Sequence, residues 1–203
     1  ELAWFVEKSK SSAVKGKLTA DIDLAKYAWL NISSNYQVEL DGNGHEIKGL
    51  NAQRGLFSQL GNKSHIHDLT LRGTSTGGGS VTGYVMGSNA VIENCFSYVT
   101  INGTGSNVGG LVGYAYNGLT IRNCANFGDV TGSGSVGGII GGFIGNNNVV
   151  TGCYNTGSVT ATGSKAGGIF GASGQGITIE NCYNTGKISG TTAGGIGGET
   201  KGY

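Results

Sequence analysis

Cys95, Cys124, Cys153 and Cys182 fall at a constant interval of 29 residues, and the residues around them recur in step. Three positions before each cysteine stands a branched aliphatic residue: Ile92, Ile121, Val150 and Ile179. Six positions after it stands another: Ile101, Val130, Val159 and Ile188. A Gly-Gly-aliphatic step follows each time, ending in Leu111, Ile139, Ile169 and Ile196. A fixed period of this size is the mark of a solenoid, in which each repeat buries its apolar face only against its neighbours. Each period offers three short strand segments, Ile-x-Asn-Cys, x-Val-x-Gly and Gly-Gly-Ile-x-Gly, with Gly and Asn at the corners. The expectation is an all-β fold, a right-handed three-sided parallel β-helix of about six or seven coils. Its hand follows from the bias of parallel crossovers. A leucine-rich repeat shares the period but needs a helix or extended arm opposite each strand, and 41 glycines in 203 residues oppose that.

The repeats are regular over 91–203 and irregular over 16–90. Ile66-His67-Asp68-Leu69 is a diverged copy of the cysteine strand, and its Leu69 marks the cysteine position as an apolar slot. Gly55-Leu56-Phe57 is the first copy of the Gly-aliphatic step. Lys17 to Leu24 alternates with period two and reads as one strand with Leu18, Ala20, Ile22 and Leu24 on one face. Tyr27 to Ser34 reads as a loop carrying Trp29 and Leu30. Asp41-Gly42-Asn43-Gly44 is a tight-turn signal. Residues 1–15 form a separate cap, because Leu2, Phe5 and Val6 share one helical face, and an open solenoid end needs covering.

With one coil per period, the four sulfurs form an interior column of reduced thiols. In-register Cβ vectors run parallel, whereas a disulfide needs a twisted dihedral. Asn126, Asn155 and Asn184 form a second structural column, since stacked amides hydrogen-bond along a solenoid. Short Cys spacings suited to zinc are absent, and no cofactor or metal is expected. The net charge of +1 offers no bulk field for nucleic acid. No apolar run is long enough to span a bilayer, so no membrane insertion is expected from this stretch. The chain starts without a signal peptide and ends just after a repeat motif, which reads as a piece of a longer protein.

The block Gly109-Gly110-Leu111-Val112-Gly113, its copy Gly167-Gly168-Ile169-Phe170-Gly171, and the Asn-Cys-Tyr-Asn-Thr-Gly run at Asn181 to Gly186 resemble the GLUG motif. The segment from Lys17 through Trp29 to Leu50 is similar to the lead-in of GLUG-containing bacterial surface proteins. The resemblance implies a secreted or surface-anchored setting, and a repeat region accessory to catalysis in those relatives assigned as immunoglobulin A peptidases. It carries no peptidase activity here: His45-Glu46 is followed by Ile47-Lys48-Gly49, and no second histidine completes H-E-x-x-H.

Candidate chemistry concentrates at the front. Residues 1–72 hold nine Lys/Arg and eight Asp/Glu, and residues 73–203 hold four of each. Asp21 and Asp23 share a strand face, as do His65 and His67, and His45 could join them from a neighbouring coil. Their convergence in one cleft would favour a polysaccharide lyase or hydrolase, the enzymatic alternative. Glu93, Arg122, Thr151 and Glu180 form one mixed column, read as decorative ion pairing. Asp41 opens a segment resembling a calcium loop, but Glu46 and Ala52 stand where glycine and glutamate belong. Phe96, Tyr154 and Tyr183 share one repeat position, and outward aromatics there can stack on sugars or on a protein partner. Tyr98 and Phe127 share another position. The expected function is a non-catalytic extracellular module, a stalk or adhesive surface of a larger bacterial surface or secreted protein. Its expected partner is a host glycan or host protein. The accessory region of an immunoglobulin A peptidase is a further alternative.

Overall fold

The computed structural model describes residues 1–29, 37–174 and 176–200. After one short helix, Leu2–Lys8, the described chain is a stack of short parallel strands wound into a β-solenoid. One ladder is seven-stranded and runs from Val14–Lys17 through Thr120–Arg122 to Ile177–Glu180. A second holds ten strands. It starts with Ile22–Asp23 and Glu46–Ala52 and includes Phe96–Asn102. From the fifth coil onward it divides into pairs such as Ala125–Asn126 and Val130–Gly132. The segment taken as a third side is split at Gly110 into two ladders. One contains Asn107–Gly109, Ser135–Gly137 and their successors, and the other contains Val112–Ala115, Ile140–Phe143 and theirs.

The interior explains the period. Ile92, Ile121 and Val150 are fully buried and in register, as are Ile101, Val130 and Val159. Burying each such side chain contributes about 1.5–3 kcal/mol. Leu69 is buried directly beneath Cys95, the slot its position in the repeat implies. Small differences in coil length cancel within each coil. Ile101 to Val112 is 11 positions and Val112 to Ile121 is nine, whereas Val130 to Ile140 and Ile140 to Val150 are ten each. The sum is 20 either way, so the cysteine interval holds at 29.

Two glycine requirements fix the corners. A Cβ at Gly138 would lie 2.1 Å from the Gly168 carbonyl oxygen and 2.4 Å from Asn155 Cγ, so the paired glycine permits contact between coils. The position before each cysteine is left-handed, with φ of 53° at Asp68, 51° at Asn94, 53° at Asn123, 62° at Gly152 and 52° at Asn181. Asp, Asn and Gly are the residues that tolerate this conformation, which explains the column.

Some expectations change. The N-terminal cap is shorter than 1–15, because the first strand already begins at Val14. Leu2, Phe5 and Val6 are buried, and the Phe5 ring packs on Gly16. Lys17 to Leu24 is not one strand. Leu18 and Leu24 are buried, but Ala20 is exposed at a corner between the first and second ladders. The period-two pattern survives because aliphatic residues flank that corner on both sides. Trp29 is buried and donates its indole N–H to the Leu56 carbonyl at 2.9 Å. Leu30 to Ser34 lie outside the described residues.

Candidate functional site: an outward aromatic ribbon and a charged cluster on the first coils

The second ladder presents its outward residues as columns. Phe96, Ala125, Tyr154 and Tyr183 are in register, as expected. Tyr154 and Tyr183 stack with ring centroids 5.0 Å apart and planes 2° from parallel. Phe96 makes no ring contact among the described residues, because Ala125 occupies the next place in its column. The rings instead continue on a diagonal. Tyr154 meets Phe127 edge-on at 5.7 Å, and Phe127 stacks on Tyr98 at 4.4 Å and 9°. The Arg72 guanidinium caps the row 3.9 Å from the Tyr98 centroid. Arg72, Tyr98, Phe127, Tyr154 and Tyr183 thus form a continuous ribbon across five coils. Tyr98 and Tyr183 are exposed, and Phe127 and Tyr154 half-buried. Burial, then the nearby Tyr183 and Tyr98, raises the Tyr154 hydroxyl pKa, so its phenol stays neutral at physiological pH.

Beneath the ribbon lies the asparagine column. Asn126 Nδ2 donates to Asn155 Oδ1 at 2.8 Å, and Asn155 Nδ2 to Asn184 Oδ1 at 2.7 Å. Each of the three amides also donates to the carbonyl two residues on, in Gly128, Gly157 and Gly186, at 2.7, 2.7 and 2.9 Å. The column ends at Ser97, which pairs in register with Asn126 but turns its hydroxyl to the Gly110 carbonyl.

The cysteines are free. Cys95, Cys124 and Cys153 are buried, and Cys182 on the last described coil is half-buried. The Cys95 N–H donates to Cys124 Sγ at 3.4 Å. Burial pushes the Cys124 thiol well up. The stacked Cys124 thiol, ahead of burial, pushes Cys153 up to about 12. A thiol held protonated is a poor nucleophile.

Asp21 and His45 pair with each other, while Asp23 and His65 pair with Lys48 and Glu93. His45 Nδ1 lies 3.0 Å from Asp21 Oδ1, which also accepts the Glu46 N–H at 3.1 Å. These contacts, the backbone one first, lower the Asp21 pKa. Asp23 caps the Ala25 N–H at 2.9 Å and lies 3.9 Å from Lys48 Nζ. His65 Nε2 lies 2.6 Å from Glu93 Oε1, and the other Glu93 oxygen receives Arg122. Arg122 is the main cause of the lowered Glu93 pKa. His67 stands apart from these pairs: its ring packs against His65 at 4.3 Å, and its Nδ1 faces Asp68 and Asp41.

A second apolar stripe escaped the sequence reading. Met86, Tyr116 and Ile144 are exposed on successive coils, and Tyr116 meets Tyr114 edge-on at 5.2 Å. Each stands five positions after the aliphatic residue of its Gly-aliphatic step, Val81, Leu111 and Ile139, a regularity visible in the sequence.

The described chain is a parallel solenoid whose corners close on repeated Gly-Gly-aliphatic steps. Within it, residues 104–131 fit the model of the GLUG motif. The chain is 33% identical over 120 residues to Halomucin of Haloquadratum walsbyi, an alignment covering 48% of this chain. The chain spans 1% of that protein's length. Its fold is similar to the crystal structure of a candidate immunoglobulin A1 protease from Bacteroides ovatus. The TM-score is 0.75 at 22% identity, covering 98% of this chain and 81% of the other. That likeness shows the fold alone. Among the described residues no helix is long and apolar enough to cross a membrane.

Proposed function

We propose that this chain is a non-catalytic extracellular repeat module of a larger surface or secreted protein, and that it binds through the aromatic ribbon. The carrying observation is the unbroken row of four rings from Tyr98 to Tyr183, closed by Arg72. Flat ring faces on a rigid scaffold suit stacking against the apolar faces of sugars, and Arg72 suits an acidic substituent at one end. Rings repeated along one face give several weak contacts that add by avidity. The partner class is a host glycan, with a host protein surface as the other form such a face accepts. The likeness to Halomucin and to the Bacteroides ovatus fold supports an extracellular or cell-surface setting. That second likeness also motivates the reading of an accessory region of an immunoglobulin A peptidase, for which binding to immunoglobulin A without cleavage is the test.

Three features support the absence of catalysis. Burial and stacking raise the Cys124 and Cys153 thiol pKa values, Asp21 is tied to His45, Asp23 to Lys48 and His65 to Glu93, and the outward residues of the regular coils are mostly Gly, Ser, Thr and Asn. The experiment is a glycan-array and immunoglobulin A binding screen that also follows cleavage. Binding without turnover, weakened in Tyr154→Ala and Tyr183→Ala, is expected. Turnover, or binding indifferent to both changes, would overturn the proposal.

A further inference from the structure

Three groups from two neighbouring coils of the seven-stranded ladder have ligand atoms close enough to share one cation. Asp41 and His67 are in register on adjacent strands, and Asp68 follows His67 at the left-handed corner. One carboxylate oxygen of each Asp and one imidazole nitrogen lie mutually within 4.8 Å. His67 Nδ1 is 2.7 Å from Asp68 Oδ2 and 3.8 Å from Asp41 Oδ1. All three residues are half-buried, so the cluster is partly withdrawn from water and still reachable.

The surroundings orient these atoms in the manner of a metal site's supporting contacts. Asn94 Nδ2 donates to Asp68 Oδ1 at 2.9 Å and leaves Oδ2 for the imidazole. Lys17 Nζ takes Asp41 Oδ2 at 3.0 Å and leaves Oδ1. The Asn43 N–H fixes that Oδ1 at 2.7 Å. The His65 ring, itself held by Glu93, packs on His67 and sets its plane. A cleft of about 360 Å³, lined by Lys17 as well as Asp41, Asp68 and Asn94, adjoins the two carboxylates of the cluster.

The repeat supplies an independent indication. At this corner the later coils carry Asn94, Asn123, Gly152 and Asn181, all neutral. The backbone needs only a residue tolerant of positive φ, and Asn meets that need. A carboxylate stands there only in the coil where His67 and Asp41 lie beside it.

We propose that Asp41, His67 and Asp68 bind a divalent transition-metal ion of the Zn²⁺ or Mn²⁺ type, which ties two adjacent coils together. One imidazole and two carboxylates suit such ions better than Ca²⁺, which takes six to eight oxygens. On binding, the ring hydrogen resides on Nε2 and the Nδ1 lone pair faces the ion, while water from the cleft completes the coordination. Lys17 is the electrostatic opponent, because its ammonium shares Asp41 with the incoming cation.

The test is calorimetric titration of the metal-free protein with ZnCl₂, MnCl₂ and CaCl₂, together with thermal unfolding in each ion. One Zn²⁺ or Mn²⁺ per chain, a raised unfolding midpoint and weaker Ca²⁺ binding are expected. Asp68→Asn keeps a residue that three other coils use at this corner, so it retains the fold, yet it should weaken binding by about tenfold or more. His67→Gln should do the same. Lys17→Met should tighten binding, a result that mere structural damage does not produce. His45→Gln and Cys182→Ser should leave affinity unchanged. Absence of Zn²⁺ and Mn²⁺ binding overturns the proposal, as does binding that survives Asp68→Asn and His67→Gln or is lost in Cys182→Ser.

Discussion

The first coils and the regular coils share one backbone path but solve the problem of stacking differently. Through residue 72 the outward columns alternate in sign: Lys15 on Glu39, Lys17 on Asp41, Lys48 beside Asp23 and Arg72 on Glu46. In the regular coils, the Glu93–Arg122 and Lys165–Glu199 pairs aside, columns repeat one neutral residue type, as in Asn126, Asn155 and Asn184, or Tyr154 and Tyr183. A strict repeat places identical side chains about 4.8 Å apart. Identical charges at that distance repel by about 1 kcal/mol even in water, whereas identical amides and rings attract. Perfect repetition therefore suits neutral ladders and stacked faces, and charge chemistry settles where the repeat is broken. The ribbon lies mainly on the regular coils, and the proposed cation site on the irregular ones.

The largest expected effect probes close approach in the regular region. Gly138→Ala forces a Cβ onto the Gly168 carbonyl and Asn155, and overpacking of this kind costs about 1–3 kcal/mol or more. Urea unfolding measures it, and an unchanged midpoint would refute the contact. Asn155→Ala comes next. It removes the hydrogen bonds to Asn126 and Asn184 and the one to the Gly157 carbonyl, and each such bond contributes about 0.5–1.5 kcal/mol. The matching change among the ion pairs of the first coils, Glu46→Gln, should cost less, because Arg72 is exposed and such pairs contribute about 0–1 kcal/mol. If Glu46→Gln proved the more damaging, the contrast between the regions would be reversed.

Acid should separate the two regions. Asp41, Asp68 and Glu93 have pKa values lowered chiefly by Lys17, His67 and Arg122 respectively. A lowered folded pKa contributes stability that is present above the unfolded value, 3.8 for Asp and 4.5 for Glu, and is lost as pH falls through the folded value. Hydrogen exchange near the charged columns should therefore hold steady down to about pH 4.5 and accelerate below it, while the Asn126–Asn155–Asn184 region changes less. The smallest effect is local. Cys182, half-buried, should react with a thiol reagent in the native state before Cys95, Cys124 and Cys153 do.

The solenoid, its inward aliphatic columns and the apolar slot at Leu69 were legible in the sequence because one offset, 29, aligns the first two ladders through all the later coils. The charged cluster was not. Val14 pairs with Val38 and Leu40 with Ile66, offsets of 24 and 26, so no single period brings Asp41 over His67. The ribbon was legible only in part. Tyr154 over Tyr183 follows from the period, but the contact of Phe127 with Tyr154 is diagonal, and reading by columns separates them. The corner at Ala20 was hidden by an alternation that continues on both sides of the bend.

The most direct test compares binding and turnover for two sets of variants against the best ligand of the glycan and immunoglobulin A screen, with a chelator present. One set is Tyr98→Ala and the double change Tyr154→Ala with Tyr183→Ala. The other is His67→Gln and Asp68→Asn. Loss of affinity confined to the ribbon set, with no turnover by any protein, is the predicted result. Turnover by the unmodified protein, or loss confined to the His67 and Asp68 set, would contradict the account.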